Sequence, residues 1–317
     1  PIIVTIGGRV ERFCGFSSSI VSSNSISDSE EWFASLEERK QEEVLLHDKL
    51  RDMDFRKKIS KEDAKKFFSN TKMLDGLEDS EDSLFINNQK WFNNSYLLKN
   101  SISGLSDAYF NELISENSKG KVVLDVACGF GRESIIAAKS NAELVVGIDL
   151  SPNSVKEGNE LALKNNLSNV IFSVADCENL YFDDDTFDII ICARMLHHIE
   201  FERVMKELQR VLKKDGKVIC IEALGINPLL NFYRKITPEQ RTHWETANIL
   251  TFKHIRIAQK YFKVENIRFW HFLSPLAKFS SALLPLFNFL DSKFFSKIPF
   301  LNRLAWTFTF ELKKEDS

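Results

Sequence analysis

Between Lys121 and Glu222, short apolar runs alternate with amphipathic stretches of helical period, and this constrains the fold more than any other feature. Lys121 to Val126 reads as a strand leading into a glycine loop, with Arg132 to Ser140 as the helix that follows. Glu143 to Ile148, Val170 to Val174, Phe187 to Cys192 and Lys217 to Glu222 read as further strands. Asn153 to Asn165 and Phe201 to Leu212 read as helices between them, and Lys213 to Gly216 as a turn. Apolar strands separated by helices predict a parallel sheet covered on both faces. Right-handed crossovers then gather the carboxyl ends of the strands on one edge, where open α/β sheets bind ligands.

The residues at those ends narrow the ligand. Gly129 and Gly131 permit a sharp turn and a close backbone approach. The third glycine of a dinucleotide fingerprint is missing, because Ser134 stands in its place. Asp125 ends the first strand, where it would repel a pyrophosphate but suits the ammonium of an amino-acid-like ligand, directly or through water. Asp149 ends the second, where a carboxylate accepts from both hydroxyls of a ribose. Asp176, with Cys177, ends the third and suits an adenine amino group. Amino acid, ribose and adenine in that order describe S-adenosylmethionine. For the loop alone, a tight turn in another α/β protein stays open as an alternative, and Asp149 and Asp176 together weigh against it.

Val123 to Gly131, VLDVACGFG, resembles motif I of class I S-adenosylmethionine-dependent methyltransferases. VVGIDLS resembles their ribose-binding motif, and VADCENLYFDDDTFDIIICARMLHHI their adenine-binding and fourth-strand motifs. LKKDGKVICIEAL resembles their turn and fifth strand, so the likeness runs from Lys121 to Leu224. It implies a doubly wound, mostly parallel seven-stranded α/β sheet, with S-adenosylmethionine contacted by Asp125, Cys128, Gly129, Gly131, Asp149, Leu150, Asp176 and Cys177. Glu37 to Asp52 and Glu222 to Thr242 resemble a bacterial subgroup associated with saccharides or natural products. The rival enzyme class is a nicotinamide-dependent oxidoreductase, which Ser134 disfavours. A non-catalytic S-adenosylmethionine-binding module is the third reading.

The flanks are read separately. Residues 1–28, Ser-rich from Ser17 to Ser25, are expected to be a disordered leader, with an organellar transit segment as the alternative. Residues 29–118 are expected to form a helical lid: one or two amphipathic helices from Ser29 to Lys66, an acidic loop at Leu74 to Ser83, and a helical stretch from Trp91 to Leu113. Residues 119–317 form the expected methyltransferase domain, with acceptor-side additions at 223–247 and 274–304. Val264 to Leu273 and Ala305 to Leu312 read as an antiparallel strand pair at a sheet edge. The Phe- and Leu-rich stretch from Ser274 to Leu304 is interrupted by Lys278 and Pro285, which makes it a poor membrane span. Core packing, an apolar acceptor pocket, contact with a membrane surface and a homodimer contact remain its readings.

A net charge of -3 and a pI near 6.2 argue against a nucleic-acid partner, and the acceptor is expected to be a small molecule. The five cysteines lack any CxxC pairing, so neither a metal site nor a disulfide framework is expected, and the compartment reads as cytoplasmic. His197, His198 and Glu222 are the candidate catalytic residues, as groups able to take a proton from an acceptor hydroxyl. His47 with Asp48 forms a second candidate base if the lid folds over the cleft. Arg234, Arg241, Thr242 and His243 are candidates for gripping an anionic or hydroxylated acceptor, with surface solvation as the alternative. An oxygen nucleophile on a saccharide, natural product or lipid-like compound is the expected acceptor.

Overall fold

The apolar runs are buried on both sides, and their alternation decides which side chain meets which helix layer. The computed structural model describes residues 2–6, 9–13, 26–51, 102–236, 242–278, 280–293 and 298–314. Within residues 1–28, β1 (Ile2–Ile6) and β2 (Arg9–Phe13) pair as an antiparallel ribbon. Cys14, Ser17 to Ser25, Leu74 to Ser83, the Trp91 to Leu97 part of the helical stretch and Arg241 lie outside the described residues.

Five strands pair in parallel: β3 (Val122–Val126), β4 (Leu144–Asp149), β5 (Val170–Val174), β6 (Phe187–Ala193) and β7 (Leu212–Ala223). With β8 (Lys263–Trp270) and β9 (Thr307–Lys313) they form the predicted seven-stranded sheet, in the order β5-β4-β3-β6-β7-β9-β8. The late strands do pair antiparallel, with β8 at the edge and β9 also antiparallel to β7. The strand order reverses between β3 and β6, which makes their carboxyl ends the topological switch point.

Ten helices are described: α1 (Ile26–Ser35), α2 (Glu38–Arg51), α3 (Gly104–Ser118), α4 (Arg132–Lys139), α5 (Pro152–Lys164), α6 (Phe201–Val211), α7 (Pro228–Ile236), α8 (His243–Asn248), α9 (Phe252–Ala258) and α10 (Leu284–Lys293). Val123, Val145, Ile189 and Ile219 turn to the layer holding Phe110 of α3, Ile135 of α4 and Leu161 of α5. Their neighbours Leu124, Val146, Ile190 and Cys220 turn to the layer holding Val204, Met205 and Leu208 of α6. The expected turn at Lys213 to Gly216 is instead an excursion within β7. Pairing jumps there from Phe187↔Leu212 to Ile189↔Lys217, with Asp215 at a φ of 62°.

Phe172 of β5 occupies a hollow floored by glycine. A Cβ at Gly131, Gly147 or Gly158 would lie 2.3, 2.6 or 2.8 Å from its ring. Gly158 sits inside α5, where alanine normally stabilises a helix by about 1 kcal/mol. Urea denaturation of Gly158→Ala should instead register a loss of about 1–3 kcal/mol from overpacking. A gain would mean that the ring moves aside freely.

His271 follows β8 and is 1% exposed, its Nδ1 2.9 Å from Ser274 Oγ and its Nε2 2.8 Å from Ser106 Oγ. Burial, aided by the Arg194 cation and opposed by Asp107, depresses its pKa from 6.5 to about 4. Between those values the unfolded chain binds the extra proton, so this contribution is complete above pH 6.5 and declines as the pH falls towards 4. The full depression is worth about 3 kcal/mol. His271 has a φ of 65°, which asparagine tolerates. Melting curves of His271→Asn against the parent at pH 7.5 and pH 5 should therefore give a smaller stability difference at the lower pH. An equal difference at both would exclude the buried neutral imidazole.

In the late addition Ala277 and Leu284 are buried, but Leu276, Leu286, Phe289 and Phe300 are 44%, 51%, 54% and 76% exposed. Among the described residues, no helix is long and apolar enough to cross a membrane.

Candidate active site

After β3 the chain reverses through Ala127, Gly129 and Gly131, at φ values of 50°, 56° and 85°. The reversal is fixed by Cys128 N donating to Ile148 O at 2.8 Å and Gly131 N to Cys128 O at 2.9 Å. Gly129 N donates to Asp149 Oδ2 at 2.8 Å, and Ser151 N to Asp149 Oδ1 at 2.9 Å. Each oxygen of Asp149 is thus held by one amide. A carboxylate offers roughly four acceptor positions, so two remain for a ligand diol.

A cavity of about 270 Å³ opens over this loop at the switch point. Gly129, Asp149, Leu150, Asp176 and Cys177 line it. Asp125, Cys128 and Gly131 do not; they stand behind the wall. Asp125 is 1% exposed and accepts from Ser134 Oγ at 2.6 Å, so the hydroxyl at the missing-glycine position braces the loop's leading carboxylate. Burial and the nearby Glu133 push the Asp125 carboxyl well above the usual range. Burial likewise raises the Cys128 and Cys177 thiols, which leaves both inert.

Helix α2 closes the cavity from above, with Arg39, Lys40, Glu43 and His47 in its lining. Lys40 Nζ meets Asp176 Oδ2 at 2.6 Å and Glu178 Oε2 at 3.0 Å, while Glu178 N donates to Asp176 Oδ1 at 2.9 Å. Arg39 donates to Glu178 Oε1 at 2.6 Å and to His198 O at 2.7 Å. Trp32 Nε1 donates to Leu150 O at 3.1 Å, and Ser151 Oγ to Asp48 Oδ1 at 2.6 Å. The lid is thereby tied to the same strand ends that line the cavity.

The catalytic candidates separate. Glu222 is wholly buried, accepting from Leu196 N at 2.6 Å and lying 2.8 Å from His197 Nδ1. Neither Glu222 nor His197 lines the cavity, but the His197 ring centroid is 4.0 Å from that of His198, which does. His198 Nδ1 lies 2.9 Å from Glu43 Oε2 and 3.1 Å from Glu245 Oε1. Burial opposes protonation there, but the hydrogen bonds and charges of Glu245 and Glu43 outweigh it and hold His198 up to about 9. Glu43 is held down to about 2 against its own burial by His198, His47 and Thr242.

His47 also lines the cavity, yet Asp48 turns to Ser151 and Asn153, so the expected His47–Asp48 pair is not formed. Arg234 is buried and bonded to Asn231 Oδ1 at 2.8 Å, and Thr242 Oγ1 donates to Glu43 Oε1 at 2.6 Å. Arg39, Lys40, Glu43, Glu178 and Glu245 were not singled out from sequence. The i,i+4 spacing of Glu43 and His47, which sets both on one helix face, was the available signal.

An open, mostly parallel α/β sheet with a cavity at its switch point, a glycine loop beneath and acidic residues at successive strand ends defines a small-molecule-binding domain of the doubly wound class. Residues 117–263, just under half of the chain, match the family model described as a methyltransferase domain. The sterol 4-C-methyltransferase strm-1 of Caenorhabditis elegans is 33% identical over 139 residues, 43% of this chain and 39% of that protein. A demethylmenaquinone methyltransferase of Geobacillus sp. is 33% identical over 123 residues, 36% of this chain and 53% of that protein. The 27-O-demethylrifamycin SV methyltransferase of Amycolatopsis mediterranei is 33% identical over 101 residues, 31% of this chain and 37% of that protein. The chain thus spans about half or less of these relatives. The solved YcgJ protein of Bacillus subtilis has a TM-score of 0.47 at 17% identity, covering 66% of this chain and 100% of that one.

Proposed function

We propose that the chain transfers a methyl group from S-adenosylmethionine to an oxygen nucleophile on a small molecule, a saccharide, natural product or lipid-like compound. The observation that carries this reading is Asp149, oriented by two backbone amides and lining one cavity with Gly129, Leu150, Asp176 and Cys177. These residues suit the cofactor: Asp149 has acceptor capacity for a ribose diol, and Asp176 and Cys177 border the adenine side. When bound, the cofactor supplies an electrophilic methyl group on sulfur. The chain contributes position and exclusion of water, through the loop beneath and the lid above. Glu222 fixes His197 at Nδ1, which supports His197 as the group receiving the acceptor proton at Nε2, provided its ring, now beside that of His198 and outside the cavity lining, turns to the acceptor. The cationic state of His198 between two carboxylates makes it the poorer base.

The names of the relatives span carbon and oxygen acceptors, and sterol, menaquinone and rifamycin compounds. They support a small-molecule acceptor without choosing one. The exposed apolar side chains of the late addition support a lipid-like acceptor or self-association. Calorimetry with S-adenosylmethionine and with NAD tests the reading. Binding of the first alone is expected, followed by S-adenosylhomocysteine release with a hydroxyl-bearing acceptor; tight NAD binding without S-adenosylmethionine binding overturns it.

A further inference from the structure

Three parts of the chain, far apart in sequence, bring four ligating side chains together. Glu43 and His47 come from α2, His198 from the segment after β6, and Glu245 from the first turn of α8, and their ligating atoms all lie within 4.8 Å of one another. We propose that these four residues form a site for one divalent transition-metal ion, best suited to Zn²⁺, which clips the lid helix to the methyltransferase domain at the cavity wall.

The spacing fits an ion of that kind. Four donors in a tetrahedron around Zn²⁺, each about 2.0–2.2 Å from it, stand roughly 3.3–3.6 Å apart. The nitrogen-to-oxygen separations are 2.9 Å (His198–Glu43), 3.1 Å (His198–Glu245), 3.3 Å (His47–Glu245) and 3.6 Å (His47–Glu43). Small side-chain shifts would open the tighter pair of contacts to admit the ion. The charge also balances once the ion displaces the imidazole protons, since two carboxylates and two neutral imidazoles offset a divalent cation. Two nitrogens and two oxygens suit Zn²⁺ and its transition-metal neighbours, whereas Ca²⁺ demands six or more oxygens.

The surroundings are those of a held site. Glu43 and Glu245 are each 6% exposed, and the Thr242 hydroxyl fixes the second oxygen of Glu43 at 2.6 Å. The His47 side chain, 36% exposed, leaves an entry path. Glu43, His47 and His198 line the cavity, so the ion would stand in its wall. With all four positions taken by protein donors the ion would be structural, holding the lid in place rather than meeting the acceptor.

The test uses the full chain, stripped with a chelator and titrated with Zn²⁺, and with Co²⁺ as a spectroscopic probe, in the absence of cofactor and acceptor. One ion per chain is expected by elemental analysis after gel filtration. Glu245→Gln and His47→Ala should each weaken binding by at least about tenfold. Asp48→Asn, which loosens the lid without touching a ligand, should bind as the parent does. Should Glu245→Gln fail to fold, the half-exposed His47→Ala still decides the matter. Absence of stoichiometric binding by the parent, or undiminished binding in the ligand variants, would establish the cluster as ion pairs alone and overturn the proposal. Because S-adenosylmethionine binding is measured separately, failure of the metal site leaves the methyl-transfer reading standing, and the reverse holds equally.

Discussion

Asp149→Ala should lower the affinity for S-adenosylmethionine by about 100- to 1000-fold. Hydrogen bonds to a charged acceptor contribute about 1.5–3 kcal/mol each, and a ribose diol would make two of them. At about 1.4 kcal/mol per factor of ten, the lower end of that sum already reaches the stated range. The substitution also releases the amides of Gly129 and Ser151, which lose their acceptor and loosen the loop. Asp149→Asn separates the two effects, since it keeps one oxygen for the amides but places an amino group where the other oxygen stood. Its affinity should fall between parent and alanine variant. Calorimetry on protein whose circular dichroism matches the parent is the measurement, and a dissociation constant within about threefold of the parent would refute the ribose assignment.

Glu178→Ala should be the most damaging change to the lid. The Glu178 side chain is 1% exposed and receives Arg39 at 2.6 Å, Lys40 at 3.0 Å, Arg203 at 3.2 Å and the Glu200 amide at 2.8 Å. Its removal leaves Lys40, itself with a side chain only 5% exposed, with a single strong partner in Asp176. Stranding buried charge in this way costs about 3–5 kcal/mol. Part of that cost is relieved by release of α2, so hydrogen exchange should quicken in α2 before the sheet is affected. The pH dependence follows the same contacts. Burial opposes ionisation of Glu178, but the Glu200 amide, Lys40 and Arg39 outweigh it and hold the carboxyl below its ordinary 4.5. A depressed folded pKa contributes stability above the unfolded value and loses it as the pH falls, so the parent lid should loosen below about pH 4.5. The alanine variant should lack that dependence. A cost under about 1 kcal/mol with unchanged exchange in α2 would show that the lid is held elsewhere.

The strands were legible because each is a run whose neighbours serve opposite layers; β5 has the bounds read from the sequence, Val170 to Val174. The loop was legible because Gly129 and Gly131 do adopt positive φ. The missing third glycine has a physical counterpart across the gap. Close approach of α4 to the sheet needs one small partner, and Gly147 on β4 supplies it, since a Cβ there would stand 2.9 Å from Ser134 Oγ. The partner of Asp125 was not legible, because a residue at a strand end can point into the layer beneath, where the Ser134 hydroxyl meets it. The His47–Asp48 reading failed for a reason of helix geometry. Adjacent helical residues do not face each other, so His47 turns to Glu43 one turn back and Asp48 to the start of α5. The meeting of Glu43 with His198, 155 residues apart, depends on how the lid settles, and no local pattern encodes that.

The position of β9 bears on the order in which the molecule can be assembled during synthesis. Among the described residues, β9 lies second from the edge, between β7 and β8, and β8 pairs with no other strand. Until residue 313 has left the ribosome, β7 therefore presents an open edge and β8 has nothing to pair with. The parallel half from β3 to β7 can condense earlier, but the far flank closes only with this late, long-range pairing. A nascent chain stalled before Thr307 would expose an unpaired apolar strand edge, the kind of surface that seeks partners in other chains.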